Sequence, residues 1–186
     1  KKKGASSLGG RQLWYDDVVG RLNTEEKGMY LGSFQPEDKI IAMYQDGSYS
    51  LHTTELNNRF DADQVIHMEL FQPDAVWTAV YFDAEKKQFN VKRFRIETLT
   101  LQTRFRFIRD GEGNYLEWIS SVPDPIIRLK TGRKKYLPQE QDVNIHEMVE
   151  IMGWKAIGNK LCDKDLLEIT LLNPPEDNQA EQGELF

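Results

Sequence analysis

The chain has 186 residues, 24 Lys+Arg against 30 Asp+Glu, a formal net charge of -6 and 11% aromatic side chains. The aromatic load excludes a disordered chain. A single cysteine, Cys162, excludes an internal disulfide framework and a multi-cysteine zinc site, and no apolar run reaches the length of a membrane helix.

Strand patterns dominate from the first third onward. Residues 39–44 are an apolar, β-branched run, and Asp46-Gly47 behind it is a hairpin signal. Residues 48–52 then alternate with period two, which places Tyr49 and Leu51 on a buried face. The unit recurs 36 to 37 residues later: 74–82 is a strand, 83–87 its turn and 88–91 the return. A third hairpin is expected over 99–119 around Asp110-Gly111-Glu112-Gly113-Asn114. Hairpin units repeating near 40 residues fit four-stranded blades packed around an axis, and this length allows about four or fewer. The fold class expected is therefore all-β and propeller-like. One short helix is expected at 144–152, with Asn144 as its cap, Glu147 as the capping-box partner, and Ile145, Met148, Val149 and Met152 on one face. Pro174-Pro175 ends regular structure, so 1–172 reads as the domain and 173–186 as an acidic flexible tail.

Charge is distributed unevenly. Residues 86–135 hold 13 basic and 5 acidic side chains, whereas 163–186 hold 1 basic and 7 acidic. The chain up to residue 162 is neutral, so residues 163–186 carry the whole net charge. That removes the objection to a polyanionic partner. Thr103-Arg104-Phe105-Arg106-Phe107 puts arginines on one strand face and phenylalanines on the other. Lys92, Arg93 and Arg95 lie on a neighbouring strand, and Arg128, Lys130, Arg133, Lys134 and Lys135 come with no acid between them. Such rows on a rim would track duplex phosphates through a bend, with backbone contact rather than base readout.

Catalytic constellations are weak. His52, His67 and His146 stand singly and are expected on the surface or a strand face; Cys162 is expected to be half-buried. Asp16-Asp17 and Asp61/Asp63 lack a metal or acid-base neighbour, and no phosphate loop, nucleophile elbow or dinucleotide fingerprint is present. No cofactor, no metal and no catalysis by this chain alone are expected.

Residues 3–17, Lys3-Gly4-Ala5-Ser6-Ser7-Leu8-Gly9-Gly10-Arg11-Gln12-Leu13-Trp14-Tyr15-Asp16-Asp17, resemble a glycine-containing segment in the C-terminal region of bacterial type IIA topoisomerase A subunits. So do Gly153-Trp154-Lys155-Ala156-Ile157-Gly158-Asn159-Lys160-Leu161, the run from Asp38 to Gly47 with 55–61 behind it, and Val80-Tyr81-Phe82-Asp83 leading to 91–94. The similarity runs from about residue 3 to 172. It is nearest to the A subunit of topoisomerase IV and next to that of gyrase. What the resemblance implies is a β-pinwheel, a propeller-like ring whose blades exchange strands and whose basic rim binds and bends DNA. The family's Q-R-R-G-G-K-G box has its counterpart in Gly9, Gly10 and Arg11, without the Gln-Arg-Arg start, which argues against gyrase-like wrapping. The family's cleavage tyrosine belongs to an upstream region, and Lys1-Lys2-Lys3 reads as a cut inside a longer protein. The implied partners are double-stranded DNA, the remainder of the cleavage polypeptide and the ATPase B subunit, in a bacterial cytoplasm.

The expected phosphate contacts are Lys92, Arg93, Arg95, Arg104, Arg106, Arg128, Lys130, Arg133, Lys134 and Lys135, with Lys1, Lys2, Lys3 and Arg11 as secondary ones. Some 6 to 10 such contacts would lose about 10³ to 10⁵ in affinity between 50 and 200 mM salt. The competing reading is a propeller-type interaction module whose basic face meets an acidic protein.

Overall fold

The structure, a computed structural model, describes residues 10–133 and 135–175. Along the chain the strands are β1 (Arg11–Asp16), β2 (Arg21–Asn23), β3 (Met29–Phe34), β4 (Ile40–Tyr44), β5 (Ser48–His52), β6 (Val65–Leu70), β7 (Trp77–Asp83) and β8 (Gln88–Phe94). Then come β9 (Phe105–Arg106), β10 (Tyr115–Ser120), β11 (Ile126–Thr131), β12 (Gln139–Asn144), the single-turn helix α1 (Ile145–Met148), β13 (Ile151–Met152), β14 (Asn159–Asp163) and β15 (Leu166–Leu171). Two compact units result. The first runs to Pro73 and recruits Glu97–Phe107; the second takes Asp74–Ile96 and the chain from Ile108.

In the first unit, one sheet has the order β2-β1-β3 and the other β6-β4-β5-β9. The β4–β5 hairpin forms as expected. Asp46 Oδ1 accepts from the Ser48 amide at 3.1 Å, and Gly47 takes the positive φ (+80°) that the turn demands. In the second unit, β10-β7-β8 continue into β13 and β14 on the β8 side, while a further sheet has the order β12-β11-β15. The β7–β8 hairpin is closed by Asp83, whose Oδ1 accepts from the amides of Glu85 and Lys86 at 3.1 and 3.2 Å.

The expected hairpin over 99–119 does not form. β9 pairs with β5 in the first unit, and β10 pairs with β7 in the second. Aromatic packing decides this. Phe105 and Phe107 lie 5.5 and 6.4 Å from the Tyr49 ring, which itself is fully buried. The same device recurs in each unit. A segment leaves a later strand pair and completes the edge of an earlier one: β9 on β5, β14 on β8, and Arg59 bridging Arg21 of β2.

Each unit has its own core. Leu13, Tyr15, Phe34, Ile40, Ala42, Tyr44, Phe60 and Met68 fill the first; Val80, Phe89, Val91, Ile127, Leu129, Ile145 and Val149 fill the second. Each large apolar side chain so buried contributes about 1.5–3 kcal/mol. β4 and β5 are buried along their whole length, and β7 and β8 nearly so. Their two-sided burial replaces the single buried face inferred from alternation, and Ser48 and Ser50 are covered along with Tyr49 and Leu51. The helix is also shorter than expected. Asn144 is extended and makes no side-chain cap, α1 ends at Met148, and Met152 lies on β13, paired with Phe94. Cys162 is half-buried, as expected, and burial pushes its thiol up to about 11.

Candidate nucleic-acid interface

Burial removes two residues from the expected row. Lys92 is fully buried, donating from Nζ to the Trp154 carbonyl oxygen at 2.6 Å and lying 5.1 Å from the Phe94 ring centre. Burial pushes its amine down to about 8. Arg93 is 4% exposed and spends its guanidinium on the carbonyl oxygens of Val149 (3.3 Å) and Pro123 (2.9 Å) and on Asp124 Oδ1 (3.2 Å). Neither presents charge to a phosphate. The cause is the central place of β8, which is flanked by β7 on one edge and by β13 and β14 on the other, with both faces covered. His52 lies on strand β5, in keeping with the strand-face expectation, but it is 8% exposed and joins a buried relay in which Tyr44 Oη lies 2.6 Å from Ser50 Oγ and Ser50 Oγ 2.7 Å from His52 Nε2. Burial pushes the His52 imidazole below its ordinary value.

Other expected contacts are at least partly exposed, and several are already engaged. The Arg104 guanidinium stacks 3.8 Å above the Tyr44 ring, pairs with Asp46 at 3.0 Å and donates from Nε to Ser48 Oγ at 3.1 Å. Arg106, opposite Ser48 on β5, is partly buried. Arg128 grips Asp142, and their hydrogen bond holds that carboxyl below the usual range. Lys130 is in register with Glu140 on one side and Glu168 on the other. Arg11 donates to the Thr54 carbonyl oxygen. Gly10 has φ +60°, and an added Cβ would meet Phe34 O at 2.8 Å, so its close approach to β3 calls for glycine. Gly9, Lys1, Lys2, Lys3, Lys134 and the tail from 176 lie outside the described residues.

Accessible cations from three turns share one end of the second unit, whereas exposed Arg95 follows the opposite end of β8. Gln88 pairs with Asp163, which puts the β7–β8 tip, with exposed Lys86 and Lys87, beside the β14–β15 turn and its exposed Lys164. The Gly132 amide donates to the Asp165 carbonyl oxygen at 3.1 Å, which brings the β11–β12 loop to the same end. That loop carries Arg133, whose Nε is 4.0 Å from Asp165, and exposed Lys135. Arg109 lies there too, 3.5 Å from both Asp83 and Glu85. Among the described residues Lys86, Lys87, Lys135 and Lys164 have no ion-pair partner, and neither does exposed Arg95 beyond the end of β8. Lys86 and Lys87 open the basic stretch 86–135 but are not among the expected phosphate contacts, and Lys164 sits between Asp163 and Asp165 in the chain; only the register shows that they share an end. No group of three or more His, Cys, Asp or Glu side chains able to hold a metal occurs among the described residues. No helix among them is long and apolar enough to cross a membrane.

A family model described as topoisomerase C-terminal domain, Bacteroidota, matches residues 21–173. No curated protein matches the sequence. Among solved structures, the crystal structure of the C-terminal domain of DNA topoisomerase IV superposes with a TM-score of 0.60 at 9% identity. The match covers 87% of this chain and 63% of that one. The architecture is thus all-β and of the β-pinwheel type, with its strands exchanged between successive sheets.

Proposed function

The chain belongs to the topoisomerase C-terminal domain family, and from that premise we propose that it is the DNA-binding and DNA-bending part of a type IIA topoisomerase, carried on the polypeptide that cleaves DNA. The topoisomerase IV type is favoured over gyrase because the segment before Gly10 lacks the Gln-Arg-Arg start. In this reading the chain has no catalytic step of its own. It holds duplex DNA by its phosphates and thereby tunes which DNA crossings the whole enzyme, with its ATPase partner, works on in the bacterial cytoplasm.

The observation that carries this reading is the cluster of Lys86, Lys87, Arg133, Lys135 and Lys164 at one end of the second unit, none of them buried. It is smaller than the row expected from the sequence. With about 4 to 6 phosphates engaged, affinity falls by roughly 10² to 10³ between 50 and 200 mM salt. A gel-shift series in salt tests this, and an affinity independent of salt overturns it. Replacing Arg133 and Lys135 with Glu weakens binding to unrelated duplexes alike. Retention of an acidic protein from solution, with no retention of plasmid, would favour the interaction-module reading instead.

A further inference from the structure

The β11–β12 loop ends in an unusual tip. Tyr136 is 73% exposed and Leu137 is 89% exposed. Leu137 is more exposed than any other large apolar side chain among the described residues. The loop is nevertheless braced. The Tyr136 amide donates to the Arg133 carbonyl oxygen at 2.9 Å, and the Gly132 amide is tied to Asp165 at its base. Pro138 lies against Gly132 and restricts Leu137 before it to extended backbone. Between Gly132 and Pro138 every ionisable side chain other than the tyrosine is a cation. A bulky apolar pair held outward by a braced loop, with cations beside it, is the arrangement of a side-chain wedge.

We propose that Tyr136 and Leu137 insert between stacked base pairs of duplex DNA while Arg133 and Lys135 hold the adjoining phosphates. The proposal rests on the DNA-binding reading above and goes beyond it. It assigns the bend to a local unstacking rather than to smooth wrapping along a basic surface. Apolar wedges of this kind kink a duplex by about 20–90°. Charge complementarity selects a polyanion as the occupant, and the size and flatness of a tyrosine ring suit a base step.

The test uses the whole chain and a duplex of about 30 base pairs carrying 2-aminopurine, long enough to register a kink of that size, with a fluorophore pair at its ends. Binding of the unaltered chain is expected to raise 2-aminopurine emission and bring the ends together. The double variant Tyr136→Ser/Leu137→Ser should bind within about threefold of the original, because phosphate contacts supply the affinity, yet lose both signals. Arg133→Glu/Lys135→Glu should lose about tenfold or more in affinity. Binding by the unaltered chain without emission change, or an equal bend from the Ser variant, overturns the wedge and leaves DNA binding standing. No binding of DNA at all, or binding only to vesicles of anionic lipid through Tyr136 and Leu137, overturns the DNA reading along with it. A circular dichroism spectrum matching that of the unaltered chain shows that each variant is folded.

Discussion

Arg128 and Asp142 face each other across β11 and β12, with Nε 2.8 Å from Oδ1 and Nη2 3.2 Å from Oδ2. The pair cancels a charge on a strand that the linear sequence marks as purely basic. Asp142→Asn should therefore free Arg128 for phosphate. Expected are tighter DNA binding by a few fold at low salt and a salt slope steeper by about one unit. The thermal midpoint should barely move, because an exposed ion pair contributes little to stability. Affinity and slope from a salt titration check it; an unchanged slope would remove Arg128 from the contact set.

Lys92 makes stability depend on pH. Its folded pKa, near 8, lies below the value of 10.5 for an unburied lysine. Between those values the unfolded chain binds more protons than the folded one, so stability rises with pH across that window. Below pH 8 both states are protonated and the cost of the buried charge is present in full. Cys162 acts in the opposite sense from about pH 9, its ordinary pKa, up to about 11, the value to which burial raises it. The clean measurement is the difference between the original chain and Lys92→Met in urea unfolding. Across the window between the two lysine values the original should gain on the variant by roughly 1.4 kcal/mol per pH unit. Parallel curves would show that the Lys92 amine binds its proton equally in the folded and unfolded chains, so that burial does not lower it.

Gly158 holds β14 against β8. Its φ is +87°, and an added Cβ would sit 2.3 Å from the Val91 carbonyl oxygen. Gly158→Ala should cost about 1–3 kcal/mol or more. Gly153→Ala, in the same loop, meets nothing within 4 Å and has no positive φ, so it should be near neutral. Urea midpoints compare the two directly, and equal losses would mean that the loop does not pin the strand.

The charged end of the chain gives a fourth prediction. Removing residues 176–186 takes away Glu176, Asp177, Glu181 and Glu184. It leaves Asn173, which accepts from the Ile126 amide and donates to the Asp124 carbonyl oxygen, both at 2.9 Å. Affinity for DNA at low salt should increase by several fold, read by gel shift. No change would mean that the tail does not compete with phosphate.

Hairpins whose signals are local are legible in the sequence. Asp46-Gly47 and Asp83 each close a turn through bonds within three residues. Features that depend on a distant partner are not. The return of Phe105 to Tyr49 spans more than fifty residues, and no periodicity encodes it. Basic residues can be counted along the chain, whereas their counter-ions come from across it: Arg128 meets Asp142, and Arg93 meets Asp124. Lys92 and Arg93 occupy a strand that has neighbours on both edges and both faces, so alternation does not reveal which side chains meet solvent. The wedge residues Tyr136 and Leu137 draw no notice beside Arg133 and Lys135, because an apolar residue in a loop is ordinary until its exposure is known.

Strand exchange also sets a timetable for synthesis. β5 is complete at His52, yet the strand that covers its edge begins at Phe105. A ribosome adding about 5–20 residues per second leaves that edge open for roughly three to ten seconds. During that interval a nascent chain presents a pairing edge to its neighbours on the same message. The order of the sheets thus makes emergence of each repeat the step that protects the one before it.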